Sequence, residues 1–431
     1  MRNPFSDDSP SLLLRGYDFA ERIWDRVPPG SRSAPMRLLG DDALLLRGAE
    51  GVRVFYDETL IARHGAMPAV VQETLFGHGS VHSLDGAQHR HRKEAFVAAA
   101  YEDAQVARLE PLLEREWCSE LSSWVDGGRR SAYQAAVGAY GRAAMAWAGL
   151  PGTAAARTRW AARLAQIVDG FGAPYSPVYL MALVNRWWSD RHSQQLIEAA
   201  RNGTLHPAAD EALAIWASHR DADGRLLPAR LAGIELQNSI RPMIAVARFV
   251  AFAGRRLHDQ PEWQERIAAE VSERGALVGG PLATAFAQEV RRTALFVPML
   301  PGRAIADVEL DGRSVTAGGR VVLDILGTDL DESSWSDAAR FAPERFLERP
   351  DYEALEAFIP HGGGSVAEGH RCPGEKLAVS GLAAAVSALS DPRVTILETG
   401  LGVNRRRLPT MPASGVRVRA YGAAGGCPLH P

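Results

Sequence analysis

Cys372 is the residue whose neighbours say most about chemistry. It stands in Phe358-Ile-Pro-His-Gly-Gly-Gly-Ser-Val-Ala-Glu-Gly-His-Arg-Cys-Pro-Gly-Glu375, a segment with five glycines and two prolines. Backbone so short of side chains can pass close to a flat object. The cysteine precedes Pro373-Gly374 and an apolar periodic run to about Leu389. Its sulfur would therefore lie at the positive end of a helix, where unpaired N–H groups favour thiolate. Thiolate ligates iron. An isolated buried cysteine more often just packs as a small hydrophobe, but the surrounding loop argues against that here.

A second chemical signal is Arg241-Pro242, inside the helical run around Leu236-Gln-Asn-Ser-Ile-Arg-Pro-Met-Ile-Ala245. Pro242 cannot bond to the carbonyl of Asn238 and its ring clashes there, so the helix must bend at a cost of about 3 kcal/mol. Arg241 beside the bend would place a permanent charge in apolar surroundings, where it needs an anion. A substrate carboxylate would satisfy it, although an arginine snorkelling from a kinked surface helix is the alternative. A third signal runs from His89 to Lys93, where five positive or titratable donors follow the turn at Asp85-Gly86. His89 and Lys93 are four apart and share one side of a helix, a suitable fork for a carboxylate. Arg90, His91 and Arg92 are expected to face water.

The cysteine loop resembles the heme-binding loop of the cytochrome P-450 superfamily through Phe358, Gly362, Arg371, Cys372 and Gly374. The triple glycine and the ending Gly-His-Arg-Cys-Pro-Gly are similar to the bacterial fatty-acid peroxygenase branch. The resemblance covers nearly the whole chain, with motifs in the same order. It implies a heme b with Cys372 as the axial iron ligand, and propionate contacts from His89, Lys93 and Arg63 with His370 or Arg371. It implies a buried structural network of Glu289, Arg292 and Arg345. It also implies that Arg241-Pro242 replaces the acid and alcohol pair of ordinary monooxygenases, the anchored substrate carboxylate itself handling protons for hydrogen peroxide. Phe76, Val168 and Phe171 correspond to the substrate channel. His82 falls at the distal position, where hydroxylating members usually have Gln and the terminal-alkene-forming decarboxylase has His. A distal imidazole there would exchange a proton between pH 5 and 8. The chain departs from the branch at Thr293–Pro298, at His361 in place of Gln, and at Leu326–Leu330.

The elements that must position these residues read as mainly helical. Apolar residues recur three and four apart over roughly 104–126, 134–148, 153–169, 178–202, 228–257, 281–296 and 375–390. Short strands at Val308–Leu310, Ser314–Thr316 and Arg320–Ile325 surround Asp311-Gly312 and Gly318-Gly319, reading as one small antiparallel sheet; another pair lies near Val394–Leu397 and Val416–Ala420. The expectation is one domain over residues 1–431 with a frayed tail at 422–431. With the resemblance, the fold class is mainly α, the P-450 fold: a triangular helical prism with small antiparallel sheets.

Composition supports a globular protein. The chain has 431 residues, 46% of them hydrophobic, enough for a large core. Lys and Arg number 48 against 51 Asp and Glu, which leaves no basic excess for nucleic acid or anionic membranes. The three cysteines share no CxxC spacing, arguing against a zinc site or a disulfide framework and for a reducing compartment. Met1–Leu14 lacks the basic-then-apolar order of an export signal, and the longest apolar run, Met243–Ala253, is interrupted by Arg248. A cytoplasmic protein is expected. With the resemblance, its function reads as peroxide-driven hydroxylation of a fatty acid, or a similar carboxylic acid, at the α or β carbon, without an obligatory redox partner. The alternatives are decarboxylation to a terminal alkene, a reductase-dependent P-450 monooxygenase, and a non-catalytic heme sensor or carrier.

Overall fold

The computed structural model describes residues 7–124, 127–174 and 176–421. The expected tail, Cys427 included, lies outside them. Helices form where the apolar spacing places them: Asp103–Trp124, Ala132–Trp147, Ala154–Gly170, Pro177–Arg201, Pro281–Thr293 and Glu375–Leu389. Several starts are capped. Ser131, Thr153 and Ser176 accept the N–H of Gln134, Ala156 and Tyr179 at 3.4, 3.2 and 3.2 Å, and Pro177 fills a first-turn position needing no donor. Their apolar faces meet in a core with Trp117, Trp147, Trp216, Tyr140, Phe249 and Phe286 fully buried.

The helix expected over 228–257 is two helices, Ala229–Ala245 and Ala247–Asp259. The interruption falls at Val246, one turn beyond Pro242. There the first helix closes with the Val246 N–H on the Pro242 carbonyl at 3.1 Å, and the next opens with the Phe249 N–H on the Val246 carbonyl at 2.8 Å.

The strands correct the sequence reading in one place. Val308–Leu310 and Arg313–Val315 pair antiparallel across Asp311-Gly312, both at positive φ, as a tight hairpin turn requires. Arg320–Asp324 does not join them. It is buried along most of its length and lies inside a five-stranded sheet, parallel to Asp41–Leu46 and antiparallel to Met299–Ala304, with Ser33–Leu38 and Ile61–Ala62 at the edges. A continuous Val-Val-Leu run suits a strand covered on both faces better than a surface hairpin. Val394–Ile396 pairs antiparallel with Arg417–Ala420 as expected, and Arg130–Ser131 extends that sheet.

Cys118, on the helix Asp103–Trp124, is disulfide-bonded, against the expectation from cysteine spacing, and the argument for a reducing compartment goes with it. Among the described residues no helix is long and apolar enough to cross a membrane.

Candidate active site

The cysteine loop is held by its own backbone. The Cys372 N–H donates to the His361 carbonyl at 3.1 Å, and the Gly363 N–H donates to Tyr56 Oη at 2.8 Å. Gly362 has φ +89°, and a Cβ there would stand 2.9 Å from Tyr56 Oη, so this position needs glycine. Phe358 is buried against Trp335 and Phe346. Cys372 precedes the helix Glu375–Leu389, but burial pushes its thiol up, Glu375 adds to the push, and Lys93 opposes it. The helix end alone therefore does not make a thiolate. A bound metal would, since a coordinating thiol is deprotonated outright.

Behind the loop lies a network that the sequence did not reveal. Arg291 donates to the buried Glu375 carboxylate and, at 2.9 Å, faces His361 Nδ1. Arg371 Nε donates to Glu375 at 2.7 Å and Arg371 Nη1 to the Glu353 carbonyl at 3.2 Å. Arg371 is thus turned into this network, which corrects its expected place among the propionate contacts. Burial would raise Glu375, but Arg291 and Arg371 hold it below the usual carboxylate range. The sequence placed the other network: Arg292 donates twice to Glu289 at 2.7 Å, the Ala342 N–H adds a bond at 2.9 Å, and Arg345 Nε stands 3.8 Å from the same carboxylate.

Cys372 lines a cavity of about 280 Å³, and His89, Lys93 and His370 line it too. His89 and Lys93 sit one turn apart on the helix Gly86–Ala100. The His89 ring stacks on His370 at 3.8 Å, and Lys93 Nζ donates to the Arg371 carbonyl. Arg63 donates to the Pro301 carbonyl at 3.0 Å and lies over the Phe55 ring. Burial, then Lys93, lowers His89 to about 4; burial lowers Lys93 to about 8; burial, then Arg63, lowers His370. Their carboxylate neighbour Asp85 already accepts the Arg63 and His64 N–H groups at 2.8 Å and stays 3.9 Å from His370 Nε2.

This donor set fits the expected heme. His89 Nδ1 is buried with no partner among the described residues, and the surrounding cations need an anion such as a propionate. Among the described residues no group of three or more His, Cys, Asp or Glu could hold a bare metal ion. A lone thiolate suits an iron whose equatorial ligands come with its macrocycle.

Arg241 lines the same cavity with Pro242, His82, Phe76, Val168 and Phe171. Its guanidinium is 3% exposed, donates to Asn238 Oδ1 at 2.6 Å, and leaves Nη1 with no partner among the described residues. Burial, then Arg186, lowers it to about 9. The neighbouring buried arginines are matched: Arg186 faces Asp190 at 2.8 Å and Arg92 faces Glu235 at 2.9 Å. Arg92, expected in water, is therefore buried, because Glu235 receives it together with the Val81 N–H and Asn238 Nδ2. Arg90 and His91 do lie at the surface. His82 packs its ring 4.1 Å from Phe76. Burial, then Arg241, pushes it down to about 3, so the imidazole stays neutral between pH 5 and 8, against the expected exchange.

A family model described as Cytochrome P450 matches residues 256–389. The chain is similar to the structure of cytochrome P450SP alpha (CYP152B1) in complex with (R)-ibuprophen, at 32% identity and TM-score 0.88, covering 97% of this chain and 100% of that one. It is likewise similar to cytochrome P450EX alpha (CYP152N1) with myristic acid, at 32% identity and TM-score 0.85, covering 96% and 97%. The match to psoralen synthase of Pastinaca sativa is 34% identical over 111 residues, 25% of this chain, and spans only 23% of that relative.

Proposed function

Because the chain belongs to the cytochrome P450 family, we propose that its cavity takes a heme b with Cys372 as the iron ligand, and that the protein is a peroxygenase. It would use hydrogen peroxide to hydroxylate a fatty acid at the α or β carbon. Bound there, the heme supplies the iron-centred oxidative chemistry. Lys93 and Arg63 would neutralise its carboxylates, and the neutral His89 and His370 imidazoles would hydrogen-bond them. Arg241 receives the substrate carboxylate through the free Nη1 and holds the adjacent carbons near the metal. That carboxylate stands in for a proton-handling side chain, while Phe76, Val168 and Phe171 take the alkyl tail.

One observation carries this reading. Of three neighbouring buried guanidiniums, Arg92 and Arg186 each face a carboxylate within 2.9 Å, whereas the hydrogen-bond partner of Arg241 is the neutral Asn238 amide. A buried charge left so needs an anion from outside. Both similar structures carry carboxylic acids, which supports the ligand class. His82, neutral and with a buried partnerless Nδ1 in the same wall, supports decarboxylation to an alkene as the second reading. Independence from a redox partner belongs to the same proposal. The test is product analysis of the pure heme-loaded protein with peroxide alone, across carboxylic acids of graded chain length. Hydroxy acids or alkenes are expected. Turnover that requires a reductase makes it a monooxygenase, and no product under either condition leaves a heme carrier.

A further inference from the structure

An acid anchored at Arg241 with its tail along Phe76, Val168 and Phe171 occupies the cavity that leads to Cys372. A second, small reactant must then reach the same place by another wall. The wall formed by Phe296, Val297, Ile325 and Pro360 has a void of about 10 Å³ directly behind it, lined by those same four residues. The far side of the void is Tyr17, Ala294, Leu295, Pro298 and Leu326, and these five also line a surface groove of about 1000 Å³. Groove, void and cavity are therefore in series, each separated from the next by a single layer of side chains.

The middle station, at about 10 Å³, stands at the lower limit of the roughly 10–15 Å³ one water needs, so peroxide would pass it only as its side chains give way. A small molecule is retained there only where polar groups meet it. They are present. Tyr17 Oη donates to the Leu295 and Phe296 carbonyls, 3.1 Å to the former. Arg291, 1% exposed and lining the void, has its Nε without a partner among the described residues. A void of about 10 Å³ is too small for an alkyl chain, and Tyr17 Oη can accept from, and Arg291 Nε donate to, a small molecule that does both.

We propose that this series is the access passage for hydrogen peroxide, with Ala294 and Leu326 setting its bore. The inference rests on the peroxygenase reading, so its test uses a probe independent of turnover: the rate at which cyanide binds the heme-loaded protein, followed by stopped flow with saturating fatty acid present. Ala294→Leu fills the void and should slow cyanide binding at least about fivefold and raise the peroxide KM by a similar factor, with the acid's dissociation constant unchanged. Leu326→Ala, a milder change, should accelerate cyanide binding, and it decides the matter should Ala294→Leu fail to fold. An unchanged cyanide rate, or a change in acid binding instead, overturns the passage. Slowed cyanide in a protein that never turns over with peroxide keeps the passage for small ligands and defeats the peroxygenase reading alone.

Discussion

A guanidinium buried without a carboxylate destabilises the fold that holds it, and binding of an anion relieves that. Arg241→Ala should therefore act in opposite directions on stability and on binding. The melting temperature of the acid-free protein should stay level or rise, and the carbon-monoxide difference spectrum should be retained. Fatty-acid affinity should fall at least about 100-fold, since two charge-assisted hydrogen bonds of about 1.5–3 kcal/mol each are lost. A spectral titration with the acid and a thermal melt read both. Unchanged affinity would show that the headgroup sits elsewhere. His82 acts differently. With its pKa pushed down to about 3 by burial and Arg241, it stays neutral and does not change charge between pH 5 and 8. His82→Gln should thus leave the shape of the pH–rate profile between pH 5 and 8 as it is, while changing the ratio of hydroxy acid to alkene through hydrogen bonding and shape. A constant ratio would demote His82 to cavity lining.

Pro242 lies beside Arg241 inside the helix Ala229–Ala245, one turn before its interruption at Val246, and leaves the Asn238 carbonyl without a helical N–H. Pro242→Ala restores an N–H for the Asn238 carbonyl and removes the ring clash, so the protein should gain stability, by up to about 3 kcal/mol if nothing relaxes. Acid oxidation should fall about tenfold as Arg241 rotates away. A denaturant melt paired with product analysis checks both, and a variant neither stabler nor slower would remove Pro242 from the mechanism. Pro261–Arg274 was missed and 228–257 was read as one helix rather than two, but most of the long helices were legible in the sequence because each repeats one apolar face over many turns. The strand Met299–Ala304 was not, since Pro301 and Gly302 read against a strand, and only its neighbours in the sheet explain it. The motif residues of the site were legible for the same local reason. Their partners were not: Arg291 meets Glu375 across 84 positions and Arg92 meets Glu235 across 143, and no local pattern encodes such pairs.

Over the whole molecule, these choices leave a cavity poor in anions, and that has a thermodynamic signature. In the native state His82 stays neutral down to about pH 3, while in the unfolded chain it takes up a proton near its ordinary value of 6.5. Between those values the unfolded chain binds the extra proton, so stability falls as pH is lowered through this window, by about 1.4 kcal/mol per pH unit for one imidazole. His89 contributes with the same sign between about 6.5 and 4 in the absence of a propionate, and a propionate beside it would cancel that share. In the heme-loaded protein His82 should then steepen the acid limb together with His361, which burial lowers to about 3 in the same cavity. Urea midpoints measured from pH 7 to pH 5 should drop less for His82→Gln than for the unmutated protein. Saturating fatty acid should flatten the unmutated curve in part, because a carboxylate on Arg241 offsets the charge that adds to burial in keeping His82 deprotonated. It should do nothing of the kind in Arg241→Ala. Parallel limbs in all of these would mean that solvent reaches His82 in the heme-loaded protein and that the cavity is open where the anchored acid requires it to be dry.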